Sequence, residues 1–206
     1  MLPNSNNITE KTLTYYRQNA AAYIEETIEN DMRVILDSFL IFVQDGGHIL
    51  DLGCGSGRDS RFFIDNGYQV TATDASLEIA EFASAFLDQE VLIQPAQSIN
   101  EIEKYDGVWA CASLLHVPRT EIFGTFVKII DSLKPGGIWY MSFKHGTGEY
   151  WDERGRYFNC YTTQSMTKVI RRLFNIEIIS IAKDFKQLRG KPQCWLNIFI
   201  RKKEAC

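Results

Sequence analysis

From His48 onward, short apolar runs alternate with stretches whose apolar residues recur at helical spacing, and few folds accommodate that order. The runs are HILDL, YQVTATD, VLIQP, YDGVWACAS, IWYMSFK, IEIISIA and CWLNIFI. A helix is predicted from Ser56 to Asn66, stopped by Gly67, and SLEIAEFASAFL forms another with Ser76 as its N-cap. RTEIFGTFVKIIDSL and TTQSMTKVIRRLF supply two more, the first closed by KPGG. Strands that alternate with helices build a parallel sheet with helices on both faces. The last two strands have only KDFKQLRGKPQ between them, so they are expected to pair antiparallel at one edge. The predicted fold is a doubly wound α/β sheet of seven strands, mostly parallel, with that C-terminal hairpin.

Upstream, residues 1–10 are expected to lack order. TLTYYRQNAAAYIEETI is predicted as one helix. Met32, Ile35, Leu36, Phe39, Leu40 and Val43 fall on one stripe of a second helix, ended by Gly46 and Gly47. The 206 residues, 45% hydrophobic, suit a single domain over 1–206, with 1–30 as an N-terminal helical cap. No apolar run has membrane-spanning length, and the N-terminus is polar without a signal segment, so a cytoplasmic protein is expected. Cys54, Cys111, Cys160, Cys194 and Cys206 are scattered and form no CxxC pair, which gives neither a disulfide framework nor a metal site. Charge is uneven. Residues 1–143 carry a net −11 and residues 144–206 a net +7, within a whole-chain −4. The basic third is either a solvated face or the docking surface for an anionic partner.

Directly after the first strand, Gly53, Gly55 and Gly57 occupy alternate positions. In an open parallel sheet, ligands bind beyond the carboxyl ends of the strands, and glycine lets the backbone approach them closely. A dinucleotide fingerprint needs a third glycine where this chain has Arg58, and a Walker lysine is absent, so NAD and ATP both fit poorly. Asp74 ends the second strand, where a carboxylate can accept hydrogen bonds from both hydroxyls of a ribose.

With these features in order, the chain resembles the class I S-adenosylmethionine-dependent methyltransferases. ILDLGCGSG, VTATD, YDGVWACASLLHV and LKPGGIWYMSF carry the resemblance, which spans roughly residues 30–200. It implies S-adenosylmethionine as cofactor, S-adenosylhomocysteine as product and no metal. It implies that Asp51, Gly53, Gly55 and Gly57 border the methionine part, and that Asp74 and Ala75 hold the ribose and flank the adenine. Gln97 stands where the family places an adenine contact, often an aspartate. Cys111 is expected to meet the cofactor through its backbone. Arg58 suits the methionine carboxylate, or else it pairs with an aspartate. Tyr15 and Tyr16 are expected to close over the sulfonium from the N-terminal helix, or else to pack that helix alone.

Methyl transfer is an in-line displacement, in which the protein aligns the nucleophile and excludes water. His116, just past the fourth strand, is the candidate general base, with a structural histidine as the alternative. Residues 144–161 form a long polar insert expected to act as a substrate-side lid. Its Lys144, Arg154, Arg156 and Tyr157 are the candidate acceptor contacts. If the stretch is extended, Arg154 and Arg156 point the same way and clamp one anion. The preferred reading is methyl transfer to an O, N or S atom of a small, anionic acceptor. The alternatives are an RNA, such as tRNA, or a protein docked on the basic third, and a non-catalytic cofactor-binding subunit.

Overall fold

A computed structural model describes residues 5–188 and 191–204. Residues 1–4 of the segment expected to lack order, and Cys206, lie outside these. The chain opens with α1 (Ser5–Gln18), α2 (Ala20–Thr27) and α3 (Arg33–Leu40). The alternating part follows as β1 (His48–Leu52), α4 (Arg58–Asp65), β2 (Gln69–Asp74), α5 (Leu77–Leu87), β3 (Val91–Ile93), β4 (Tyr105–Ala110) and α6 (Arg119–Ser132). Then come β5 (Leu133–Lys144), β6 (Glu149–Trp151), β7 (Tyr157–Asn159), α7 (Thr163–Ile170), β8 (Ile176–Leu188) and β9 (Lys191–Lys202).

Seven strands form one sheet in the order β3-β2-β1-β4-β5-β9-β8. The first five are mutually parallel, and β9 runs antiparallel between β5 and β8. Strand order reverses between β1 and β4, so the loop after β1 opens at a switch point, where ligands settle. Side chains alternate across the sheet as a period of two requires. Leu50, Val108, Trp139 and Met141 pack beneath α6 and α7, with Phe126 and Met166. Ile49, Trp109, Ile138 and Tyr140 pack on the other face beneath α3 and α4, with Phe39 and Phe63.

The structure departs from the sequence expectation at several points. Residues 5–10, within the segment expected to lack order, form the start of α1. The first predicted helix is two, broken at Asn19 (φ −124°, ψ 20°), whose side-chain amide donates to the Tyr15 carbonyl at 2.8 Å. Asparagine binds nearby backbone in this way and so favours helix interruption. The insert is not a plain loop. β6 and β7 make a hairpin around Asp152–Gly155, with the Gly155 N–H donating to the Asp152 carbonyl at 3.0 Å and Gly155 at φ 80°.

Candidate active site

The loop after β1 is shaped by close packing. Gly53 and Cys54 donate their N–H groups to the Thr73 carbonyl, each at 2.8 Å, which stitches the loop to β2. A Cβ on Gly53 would lie 2.5 Å from Cβ of Ser113, and its φ of 79° disfavours any other residue. Asp74 is fixed from both sides. Its Oδ2 accepts from Gly55 N–H at 3.1 Å and its Oδ1 from Ser76 N–H at 2.9 Å. Withdrawal from water raises its pKa, and these backbone donors oppose the rise.

A cavity opens beside these groups, with about 740 Å³ of empty space including its mouth. Gly53, Asp74, Ala75 and Gln97 line it, together with Tyr16 and His116. α1 roofs it through Thr9, Thr12, Leu13 and Tyr16, so the N-terminal helix is part of the site. Gln97 is held by Glu121, to which its Nε2 donates at 3.0 Å. The Ser113 hydroxyl also belongs to the wall and is buried without a partner. An orphaned hydroxyl beside an open cavity is a vacant bonding position for a ligand.

Other expected cofactor contacts sit outside that lining. Asp51 is buried, accepts from Ser60 Oγ at 2.7 Å, and has its pKa raised well above the usual carboxylate range by desolvation and then by nearby Asp59. Arg58 binds Asp59 through Nε at 2.7 Å and Nη2 at 3.0 Å, and donates Nη1 to the Thr27 carbonyl at 2.9 Å. Asp59 also accepts from Trp109 Nε1 at 2.8 Å, so it ties the glycine loop to the core. Tyr23 covers Gly55, with its hydroxyl 3.1 Å from where a Cβ would stand. Cys111 has its thiol pushed up to about 12 by desolvation, while its neighbours Ala112 and Ser113 line the cavity.

His116 and Tyr16 meet directly. His116 Nε2 lies 2.7 Å from the Tyr16 hydroxyl, and Nδ1 lies 2.6 Å from the Tyr157 carbonyl. Desolvation lowers the His116 pKa to about 3, with Arg156 and Lys144 adding to the fall and Asp152 opposing it. Tyr15 stands outside the cavity, edge-on to Tyr16 at 5.3 Å between ring centroids.

The insert cations do not form a parallel clamp. Arg154 lies in the hairpin turn and reaches the Tyr15 hydroxyl at 3.1 Å and Glu26 at 3.7 Å. Arg156 is held by Asp152, from Nε at 2.9 Å and Nη2 at 2.7 Å, and covers the faces of Tyr15 and Phe158. Tyr157 donates its hydroxyl to Glu149, and its N–H reaches Thr12 on α1 at 3.2 Å. Lys144 differs. Its Nζ sits 3.4 Å above the Phe158 ring and 3.2 Å from the Tyr150 hydroxyl, and among the described residues it has no carboxylate in salt-bridge contact. Desolvation and then Arg156 lower its pKa to about 8.

Sequence reasoning left out Tyr23, Thr12, Ser113 and Asp59. Asp59 alone carried a local signal, an acid in the first helical turn beside an arginine. Among the described residues, no group of three or more His, Cys, Asp or Glu is placed to hold a metal ion, and no helix is long and apolar enough to cross a membrane.

Residues 49–137 match the family model for the methyltransferase domain. YqeM of Bacillus subtilis is 33% identical over 99 residues, covering 45% of this chain and 40% of that protein. The ubiquinone biosynthesis O-methyltransferase of Rickettsia canadensis is 33% identical over 99 residues, covering 46% and 41%. The matched part thus spans about two fifths of the length of these relatives. Among solved structures, the chain is similar to the Burkholderia thailandensis 1,6-didemethyltoxoflavin-N1-methyltransferase with bound 1,6-didemethyltoxoflavin and S-adenosylhomocysteine. The TM-score is 0.79 at 19% identity, over 99% of this chain and 92% of that one.

Proposed function

Because the chain belongs to the class I S-adenosylmethionine-dependent methyltransferases, through its domain at residues 49–137, we propose that it moves the methyl group of that cofactor to a small molecule. One observation carries this reading. Asp74, held by Gly55 and Ser76, faces a cavity that also contains the unpartnered Ser113 hydroxyl and the bare backbone of Gly53. These groups fit a nucleoside. Asp74 supplies carboxylate lone pairs for two ribose hydroxyls, Gly53 admits close backbone approach, and Ser113 supplies a spare hydroxyl. When bound, S-adenosylmethionine supplies an electrophilic methyl group on a sulfonium. The chain's own part is to orient the acceptor between His116 and the glycine loop while α1 excludes water from above.

The acceptor we favour is small and carries an anionic group. Lys144 supports this, as a desolvated cation on an aromatic face without a carboxylate partner among the described residues. The basic C-terminal third is the basis of the other reading, an RNA or protein acceptor. Part of that charge is engaged internally. Arg156 pairs with Asp152, Arg201 with Glu177 and Lys202 with Glu103, and Arg172 covers Phe123. Cys54, Cys111, Cys160 and Cys194 carry free thiols, which suits a reducing, cytoplasmic setting. The test has two stages. Calorimetry should give binding of S-adenosylmethionine and S-adenosylhomocysteine but not NAD. A methyl-label screen against metabolites, total tRNA and cell protein should then label the metabolite fraction. Tight NAD binding with none for the methyl donor would overturn the assignment, and label confined to tRNA or protein would overturn the acceptor class.

A further inference from the structure

The Tyr16–His116 contact joins residues 100 positions apart, at the wall of the cavity. Its protons can be assigned from its partners. The Tyr157 carbonyl can only accept, so Nδ1 of His116 carries the hydrogen at this 2.6 Å contact. Nε2 is then bare, and the Tyr16 hydroxyl donates to it at 2.7 Å. Arg156 also donates to the Tyr16 oxygen, which leaves one lone pair of that oxygen for a ligand. The Tyr16 ring is held edge-on by Tyr15, Tyr23 and His116, at centroid distances of 5.3, 5.1 and 5.4 Å.

Every element around His116 bears on its charge. Tyr16 faces it from α1, and the Tyr157 carbonyl and Phe158 face it from β7. Arg156 and Asp152 act from the hairpin turn and Lys144 from the end of β5, and the net effect keeps the imidazole neutral. Such a group cannot deprotonate a resting acceptor. It can take a proton from an oxygen that has begun to bond to a methyl group, because an alkylated hydroxyl is a strong acid. Charge favours the same timing. Transfer removes the positive charge of the sulfonium from the cavity as the proton's charge arrives at Nε2.

This distinguishes acceptor atoms. Thiols and carboxylic acids ionise readily and need little help with a proton. A methylated amine can keep its extra proton. A hydroxyl that is neutral at physiological pH needs a proton acceptor within hydrogen-bond reach. Resting on the methyltransferase reading above, we propose that the acceptor atom is a hydroxyl oxygen of phenol type, and that Tyr16 is the catalytic residue that receives its proton and relays it to His116. An oxygen lone pair forms the new bond to the methyl carbon, and the carbon–sulfur bond breaks with its electron pair passing to sulfur. The hydroxyl proton moves to Tyr16 Oη, and the Tyr16 proton moves to His116 Nε2, from which it leaves to solvent when the site opens. An anionic substituent elsewhere on the same acceptor remains free to meet Lys144.

The test uses the full chain saturated with S-adenosylhomocysteine and two probes, phenol and anisole, which differ by the donatable proton. Calorimetry should give phenol about tenfold tighter binding than anisole, the worth of one hydrogen bond in a desolvated site. Tyr16→Phe keeps the ring, so it should abolish that preference. Nitrogen NMR of the wild-type complex gives a second readout, with Nδ1 of His116 protonated and Nε2 bare from about pH 5 to 9. Equal binding of the two probes, a preference that survives Tyr16→Phe, or an Nε2–H tautomer would each overturn the relay. Absence of S-adenosylhomocysteine binding would instead overturn the methyltransferase reading.

Discussion

Replacing Asp74 by asparagine examines cofactor binding most directly. Both carboxylate oxygens already accept one backbone N–H, from Gly55 and from Ser76, and each retains lone pairs for a ribose hydroxyl. Asparagine keeps one oxygen and turns the other position into an NH2, which carries no charge and cannot accept from a ribose hydroxyl. The change therefore removes at least one charge-assisted hydrogen bond to the cofactor, worth about 1.5–3 kcal/mol, or roughly 10- to 150-fold in affinity. Calorimetry with S-adenosylhomocysteine reads this directly. The pH dependence has a definite sign. Desolvation raises the Asp74 pKa, and the charged form binds the ribose, so affinity should fall with decreasing pH while still above the ordinary carboxylate range. In the unliganded protein the same shift means that burial of the charged form costs stability above that range, and protonation relieves the cost. The asparagine variant should lose this pH dependence and keep a melting temperature close to wild type. An affinity within about twofold of wild type would refute the ribose role, and a collapsed melting temperature would assign Asp74 to the fold instead.

Three further outcomes are expected. Arg156→Ala removes a bidentate pair to Asp152 and should cost about 1–3 kcal/mol locally, seen as faster hydrogen exchange at the amides of β6 and β7. Lys144 is charged below its pKa of about 8, so a carboxylate-bearing ligand such as benzoate should bind the product complex more weakly as pH rises through that value; a flat profile from pH 7 to about 9 would remove Lys144 from the site. Gly107→Ala would set a Cβ 2.8 Å from Phe39 Cζ and 3.2 Å from Val43 Cγ2. It should destabilise the protein by about 1–3 kcal/mol in a thermal or denaturant melt, because both neighbours are packed in the core.

The part of the site visible in the sequence was the part built by near neighbours. The glycines and Asp74 follow strands whose order is fixed by alternation, so their place at the carboxyl edge follows from topology. Tyr16 and Thr12 were harder to assign, because their role depends on where a detached helix lands. Nothing in TLTYYRQ specifies that its aromatic face will meet a histidine 100 residues away. The length of the last hairpin was also obscured, since β8 continues through the polar KDFKQ, paired with the start of β9.

The insert shows how local turn chemistry can override a side-chain pattern. Arg154 and Arg156 are spaced for one strand face, and an extended chain would have aligned them. The stretch DERG instead holds the signal of a turn, with aspartate at its start and glycine three residues later. Asp152 Oδ1 accepts the N–H groups of Arg154 and Arg156 at 3.0 and 2.9 Å, which fixes the turn, and its Oδ2 then lies ready for the Arg156 guanidinium. One carboxylate thus folds the hairpin and pairs with Arg156. Arg154, carried to the tip, reaches Tyr15 and Glu26 on the N-terminal helices. The same fold leaves Lys144 at the end of β5, anchored by its strand pairing to β9 and beyond the reach of Asp152's hydrogen bonds. Its charge faces Phe158 and Tyr150 instead. The insert's two arginines therefore tie the hairpin to the N-terminal helices, and its lysine is the insert cation without a carboxylate in salt-bridge contact among the described residues.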